Sequence, residues 1–293
     1  MIYEINHFTR IFYEQPVQFA RLNLRLEPAV WNGQHIEDFS LSVSPPAATL
    51  ATHDGPYPVK VTRLEIDGPL NDLTIHSRFI AHVDDGMLDR MAQDASVADV
   101  AAMALAQADL GVLAPANYVF PSPYAPQVEA IAEWARPWLD PHVPALEAGL
   151  ALAREIKNSF IYDVGATRTD TPVERAFTMR RGVCQDFAHV LVVALRSVGL
   201  PAAYASGYLR TLPPPGMPHL FGVDAMHAWT MLWCGPQRGW VGLDPTNGCV
   251  TGTDHIFTAL GRDYGDVAPI DGTFLGAAPQ HLSVSVDVMP LGG

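Results

Sequence analysis

One segment in the middle of the chain carries the period of a buried α-helix and begins with a cysteine. Its apolar residues recur three, four, seven, eight and eleven positions after the first, a spacing that places them on one helix face: Phe187, Val190, Leu191, Ala194, Leu195 and Val198. Cys184 extends this face by three residues towards the N-terminus. Because Gly199, followed by Leu200-Pro201, is a typical helix end, the sequence predicts a core helix that starts near Cys184.

The position of Cys184 in a first helical turn favours its thiolate form. Backbone N–H groups at a helix start have no partner within the helix, and the helix dipole adds partial positive charge there. The same N–H groups can stabilise the oxyanion of an acyl-transfer reaction. The competing interpretation is that Cys184 is only a small buried hydrophobic residue, as free cysteines often are.

A second segment supplies a histidine and an aspartate on a predicted hairpin. Residues Met226–Trp233 and Arg238–Asp244 are strand-like runs, separated by the turn residues Cys234-Gly235-Pro236-Gln237. A four-residue loop predicts four cross-strand pairs: Trp233–Arg238, Met231–Trp240, Trp229–Gly242 and His227–Asp244. Asp244 would then accept from one ring nitrogen of His227 and leave the other nitrogen for a thiol.

Three blocks of this chain resemble the bacterial transglutaminase-like proteins, a branch of the papain-like superfamily of cysteine hydrolases and acyltransferases. The blocks are RRGVCQDFAHVLVVALRSVGLPAAYASGYL, MHAWTMLWCGPQRGWVGLDPTNG and DHIFTALGRDYGDVAPIDG, in this order. The first 85 or so residues, with YEINHFTRIFYEQPV and LNLRLEP, are similar to the β-rich domain that accompanies this core. The resemblance assigns the nucleophile to Cys184, the histidine to His227 and the aspartate to Asp244.

The resemblance and the residue patterns together predict an α+β fold. We expect a β-rich N-terminal domain at residues 1–85, a helical and proline-rich connector at 86–145 and a catalytic core at 146–293, in which the nucleophile helix packs on an antiparallel sheet. Alternating apolar residues support strands in the N-terminal third. The C-terminal alternation of Leu282, Val284, Val286 and Val288 is assigned to the core sheet.

Three neighbours of the predicted triad are weaker candidates for substrate contact. Gln185 follows the nucleophile, so its side chain is a candidate for substrate binding. Tyr208 is interpreted either as lining the cleft or as an aromatic residue of a core strand. Trp229, two residues from His227, is interpreted either as a shield of the imidazole and a wall of the substrate groove or as core packing.

Composition limits the cofactors and partners of the protein. Lys and Arg number 18 against 31 Asp and Glu, a formal net charge of −13, which argues against nucleic acid or an anionic membrane as partner. The three cysteines include no C-x-x-C pair, and no acidic loop has calcium-ligand spacing, so we predict no metal and no organic cofactor. The N-terminus lacks signal-peptide features, and we expect a cytoplasmic location.

Three functions remain open at the sequence level. The first is cysteine-dependent hydrolysis of amide or peptide bonds through a thioester acyl-enzyme, with a peptide or protein as substrate. The second is acyl transfer to an amine, as in protein-glutamine transglutaminases. The third is a binding or scaffold role with a relic triad. The residue types of the triad are the same for hydrolysis and transfer, and the oligomeric state cannot be read from the sequence.

Overall fold

The computed structural model describes residues 1–84, 94–109, 111–211, 225–277 and 279–291, and it confirms the predicted α+β class. The strands are β1 (Ile2–Leu24), β2 (Gln34–Ser44), β3 (Thr49–Asp54), β4 (Lys60–Val83), β5 (Ile161–Tyr162), β6 (Arg181–Gly182), β7 (Ala202–Leu209), β8 (Ala225–Trp233), β9 (Trp240–Asp244), β10 (Cys249–Val250), β11 (His255–Gly261), β12 (Ile270–Leu275) and β13 (Gln280–Pro290). The α-helices are α1 (Val97–Ala106), α2 (Glu129–Ala135), α3 (Ala145–Ser159), α4 (Val173–Met179), α5 (Cys184–Arg196) and α6 (Tyr264–Val267).

Two long strands organise the first sheet. β1 and β4 pair in antiparallel fashion along most of their lengths, and β2 and β3 pair with the far side of β4. Side chains along β1 alternate between buried and exposed, as expected for a sheet with one face on a core. The alternating runs recognised in the N-terminal third of the sequence therefore do form strands.

The C-terminal strand does not join the core sheet, so that assignment was wrong. β13 pairs instead with the first half of β1, for example Thr9 with Val284, and β12 pairs with the second half of β1. Alternation in the sequence identifies a strand but not its partner. Without β12 and β13, β1 would leave a long row of unpaired backbone groups at the sheet edge. The N-terminal sheet is therefore built from both ends of the chain.

The second sheet carries the helix that starts at Cys184. It has five strands in the order β10-β9-β8-β7-β11, all antiparallel, and α5 packs against β8 and β7. Every residue of α5 from Asp186 to Arg196 is buried, so α5 is enclosed all round rather than on one face. Arg196 donates to the carbonyl oxygens of Phe120, Ala202 and Arg262 at 3.0, 2.9 and 2.6 Å. This side chain therefore joins the connector, β7 and the segment before α6.

The connector between the sheets contains the helices α1 and α2, separated by a largely irregular proline-rich stretch. Both helices lie within the connector predicted for residues 86–145, whereas residues 85–93, with the predicted domain boundary, lie outside the described residues. The division into residues 1–85, 86–145 and 146–293 stays a prediction. None of the helices in the described ranges is both long and apolar enough to cross a bilayer.

A glycine in β7 makes room for the Trp229 ring, and its substitution tests this packing. A Cβ on Gly207 would lie 2.5 Å from the Trp229 ring and would also meet the backbone oxygen of Ile256. We expect Gly207→Ala to lower the free energy of unfolding by about 1–3 kcal/mol, the usual cost of overpacking, as measured by denaturant unfolding. Gly252→Ala is the control, since nothing lies within 4 Å of its Cβ. Equal stability of the two variants would contradict the packing described here.

Candidate active site

A buried carboxylate fixes the start of α5 and so the position of Cys184. Oδ2 of Asp186 accepts from the backbone N–H of Val183 at 2.8 Å and from the Thr167 hydroxyl at 2.6 Å. A Cβ on Gly182 would lie 2.5 Å from the same oxygen, so only glycine allows this close approach. Burial raises the pKa of Asp186, although the hydrogen bonds from Thr167 and Val183 oppose the shift. Cys184 itself is half-buried at the first helical position.

The hairpin of β8 and β9 brings His227 and Asp244 together. Nε2 of His227 lies 2.9 Å from Oδ2 of Asp244, and both side chains are buried. Because Nε2 faces the carboxylate, Nδ1 is left for another partner. The Cys184 thiol lines the same groove as His227, and it acts together with Asp244 to raise the pKa of the ring.

The contact forms in a register that differs by two residues from the predicted one. Trp233 pairs with Trp240 rather than with Arg238, and Thr230 pairs with Leu243. The loop has six residues rather than four, and it is closed by a hydrogen bond of 2.8 Å from Cys234 N–H to the Gly239 oxygen. A shift of two residues keeps every side chain on its face, so Asp244 still reaches His227, from a diagonal position.

Five hydrogen bonds converge on the Asp244 carboxylate. Oδ1 accepts from the backbone N–H groups of Thr246 and Asn247 at 2.8 and 3.1 Å. Oδ2 accepts from the Asn247 amide at 2.6 Å, from His227 and from His255 at 3.1 Å. Burial alone would raise the pKa of Asp244, but the bonds from His227 and His255 hold it well below its usual range. The group is therefore a carboxylate throughout the neutral pH range.

His255 is a site residue that sequence reasoning missed. Its Nδ1 accepts from the backbone N–H of Gly252 at 3.2 Å, so its Nε2 carries the proton and donates it to Asp244. The Trp229 ring lies 5.5 Å from the His255 ring and 6.2 Å from the His227 ring. The sequence block that contains His255 was recognised, but nothing in its spacing relates this residue to Asp244.

The charge state of His227 follows from two opposing effects. Burial disfavours the imidazolium and lowers the pKa, whereas the hydrogen bonds to Asp244 and Cys184 raise it. The bonds prevail, and they raise the pKa of His227 to about 10. The site is therefore built to hold a positive ring between a carboxylate and a sulfur atom.

The side chains of His227, Asp244 and His255 also lie close enough together to be considered as ligands of a metal ion. Ligand atoms of His227, Asp244 and His255 all lie within 4.8 Å of one another. However, the proton on Nε2 of His255 points at the carboxylate because Nδ1 is held by Gly252. A metal at this position would displace that proton and break the bond to Gly252. The arrangement fits a hydrogen-bond network, and the absence of a catalytic metal stays a prediction.

A groove of about 430 Å³ lies beside the thiol and the imidazole, within the size range of ligand sites. Cys184, Gln185 and His227 line it. The Gln185 amide donates to the Thr169 oxygen at 3.0 Å, which anchors this side chain to the preceding loop. Tyr204 and Tyr264, which the sequence reasoning did not name as site residues, also line the groove.

The two aromatic candidates lie elsewhere. Tyr208 is fully buried and its hydroxyl lies 2.8 Å from Nδ1 of His7, so it does not line this groove. Trp229 is also buried, and its indole donates to Met231 Sδ at 3.3 Å. The position of Trp229 beside the rings of His227 and His255 agrees with the interpretation that it shields the imidazole, and the interpretation that it walls this groove is not supported.

The other two cysteines differ from Cys184 in their surroundings. Cys234 is buried, which raises the pKa of its thiol to about 12. Burial and the nearby Asp244 carboxylate raise the pKa of Cys249. Neither thiol lines the groove. Both are free thiols.

Comparison with known proteins confirms the resemblance that the sequence blocks indicated. Residues 132–245 match the transglutaminase-like superfamily, and residues 3–82 match the bacterial transglutaminase-like N-terminal region. An uncharacterized protein of Mycobacterium tuberculosis is 42% identical over 169 residues, which cover 56% of this chain and 54% of that protein. The chain thus spans about half the length of this curated relative.

Two further similarities concern proteins whose names carry an activity. A protein-glutamine gamma-glutamyltransferase of Pseudomonas aeruginosa is 35% identical over 82 residues, 28% of this chain and 12% of that protein. The crystal structure of a "putative cysteine protease" from Cytophaga hutchinsonii superimposes with a TM-score of 0.72 and 22% identity, over 100% of this chain and 93% of that one. The structural likeness shows that the two chains share a fold.

The contact between His227 and Asp244 leads us to predict an unusually high pKa for the histidine ring. We expect the His227 ring to titrate near pH 10, and Asp244→Asn to lower this pKa because the variant removes the buried negative charge. Since the folded-state pKa lies above the ordinary value of about 6.5, the protonated ring stabilises the fold fully below that value. This contribution is lost as the pH rises through about 10.

NMR titration of the histidine rings measures this shift. His7 is the internal control, because burial lowers its pKa to about 4 and it makes no hydrogen bond to Asp244. Its pKa is expected to be the same in Asp244→Asn. A wild-type His227 that titrates near 6.5 would contradict the conclusion that its hydrogen-bond partners outweigh burial and stabilise the imidazolium.

Proposed function

We propose that the protein hydrolyses amide bonds of peptides or proteins. The premise is its family: residues 3–82 are a bacterial transglutaminase-like N-terminal region, and residues 132–245 are a transglutaminase-like core. The observation that carries the proposal is the His227 ring, which hydrogen-bonds the Asp244 carboxylate and lines one groove with Cys184. A nucleophile, a base and a group that orients the base are the parts that covalent acyl transfer requires.

In the first half of the proposed reaction, the Cys184 thiolate attacks the amide carbonyl carbon. The tetrahedral oxyanion is stabilised by backbone N–H groups at the start of α5. The C–N bond then breaks, and the imidazolium of His227 gives its Nδ1 proton to the departing amine. The acyl group remains on Cys184 as a thioester.

In the second half, His227 acts as the base. It takes a proton from water, which attacks the thioester carbonyl, and the C–S bond breaks to release the carboxylic acid and the thiolate. Asp244 stays ionised in both halves and offsets the positive charge of the ring. Its other partners, among them His255 and Asn247, keep the carboxylate in one orientation.

Acyl transfer to an amine is the second candidate function. It is favoured by the similarity of part of this chain to the Pseudomonas aeruginosa glutamyltransferase. The thioester is common to both reactions, and only the group that attacks it differs. Exclusion of water from the groove would favour the amine.

Substitution of the nucleophile tests the proposal. We expect Cys184→Ala to reduce the turnover of peptide amides by about 10⁴-fold or more and to change the free energy of unfolding by less than about 1 kcal/mol. The control is Cys249→Ala, which removes a thiol of similar exposure and is expected to retain activity. Full turnover by Cys184→Ala would refute the assignment, and unreactive Cys184 in the wild type would favour a non-catalytic role.

A competition experiment separates hydrolysis from transfer. The enzyme is incubated with a peptide substrate and a labelled primary amine, and both products are quantified by mass spectrometry. Hydrolysis predicts mainly the free acid, with an amide adduct below about one tenth of the product even at high amine concentration. A dominant amide adduct that disappears in Cys184→Ala would replace hydrolysis by acyl transfer.

A further inference from the structure

The outer side of the active-site groove is formed by the N-terminal sheet rather than by the catalytic core. Four aliphatic side chains from β12 and β13 line it, and we call them the apolar wall: Ile270, Leu282, Val284 and Val286. Beside them on β1, and also lining the groove, lie His7, which pairs with Val286, and Thr9, which pairs with Val284. Residues from both ends of the chain therefore face Cys184 and His227 across one groove.

Part of this wall is exposed in a way that core packing does not explain. Val286 and Val288 are buried against the rest of the protein, whereas Val284 is 48% exposed and Leu282 is 61% exposed on the same face of β13. The sheet therefore extends past the core that it covers. Its uncovered part is an apolar surface that continues into the groove.

The charges of the residues around the groove limit the kind of substrate group that can bind there. The chain carries a formal net charge of −13, yet the described residues that line the groove include no Asp, Glu, Lys or Arg. A charged group against the apolar wall, on the side of the groove opposite Cys184 and His227, would lose its hydration without gaining an ion pair. An aliphatic or aromatic side chain would lose only unfavourable contact with water.

We propose that the apolar wall binds an aliphatic or aromatic side chain of the peptide substrate, one or two residues from the amide that Cys184 attacks. The inference rests on the proposed function and extends it to a substrate class. It also gives the N-terminal sheet a role, because that sheet supplies half of the binding site.

Two peptidyl vinyl sulfones test this inference through the rate at which they alkylate Cys184. They differ only in the side chain next to the electrophile, which is leucine in one and aspartate in the other. We expect the wild type to react about 10- to 100-fold faster with the leucine probe, the factor that corresponds to burial of one such side chain. In Val284→Asp this preference is expected to fall at least tenfold.

Leu50→Asp is the matched control. Leu50 is 47% exposed on β3 of the same sheet and does not line the groove, so its substitution is expected to leave the preference unchanged. Alkylation of Cys184 by iodoacetamide, which needs no apolar contact, checks that the thiol and the fold are intact in each variant.

The possible results distinguish an error in the proposed role of the apolar wall from an error in the proposed function. Equal rates for the two probes, with normal iodoacetamide alkylation of Cys184, would show that the apolar wall does not bind the substrate side chain. The catalytic proposal would be unaffected by this result. Absence of Cys184 alkylation by every reagent would instead overturn the proposed function. If Val284→Asp changes only the oligomeric state in sedimentation and not the preference, the wall binds a second copy of the chain and the inference is wrong.

Discussion

The buried carboxylate of Asp244 is the constraint on which the candidate site depends. A charge with no exposed surface is costly unless hydrogen bonds replace its hydration, and here both oxygens are satisfied by backbone and side-chain donors. Two of these donors are histidine rings, so the need to solvate one carboxylate also orients His227 and His255. With Nε2 of His227 directed at Asp244, Nδ1 is available for Cys184, and the proposed pairing of thiol and imidazole follows from the placement of a single charge.

The second organising feature is the way both ends of the chain form one sheet. β1 lies between β4 on one side and β12 and β13 on the other, which closes the N-terminal sheet with strands that follow the candidate site residues in sequence. The consequence is a groove with two unlike sides. One side carries the thiol and the imidazole on α5 and β8, and the other side is an aliphatic surface without charge.

The sequence predicted the parts that local periodicity and residue chemistry encode. The apolar spacing after Phe187 located α5, and the turn residues around Gly235 located the β8–β9 hairpin and the contact of His227 with Asp244. The loop length was wrong by two residues, which changed the register but not the face. The partner of β13 was wrong because alternation carries no information about which edge a strand joins. The sequence did not indicate His255, because its hydrogen bond to Asp244 depends on how β11 lies relative to β9.

By itself, the sequence determined the secondary structure around the site and pointed to the three residues that we propose carry its chemistry. These depend on interactions within a helix or across one hairpin, which a short stretch of residues specifies. Only the tertiary structure decided the fourth member of the hydrogen-bond network, the balance of burial against hydrogen bonds that sets the charge of His227, and the apolar side of the groove. Each of these needs residues from distant segments to meet, and such meetings are decided by the packing of the whole chain.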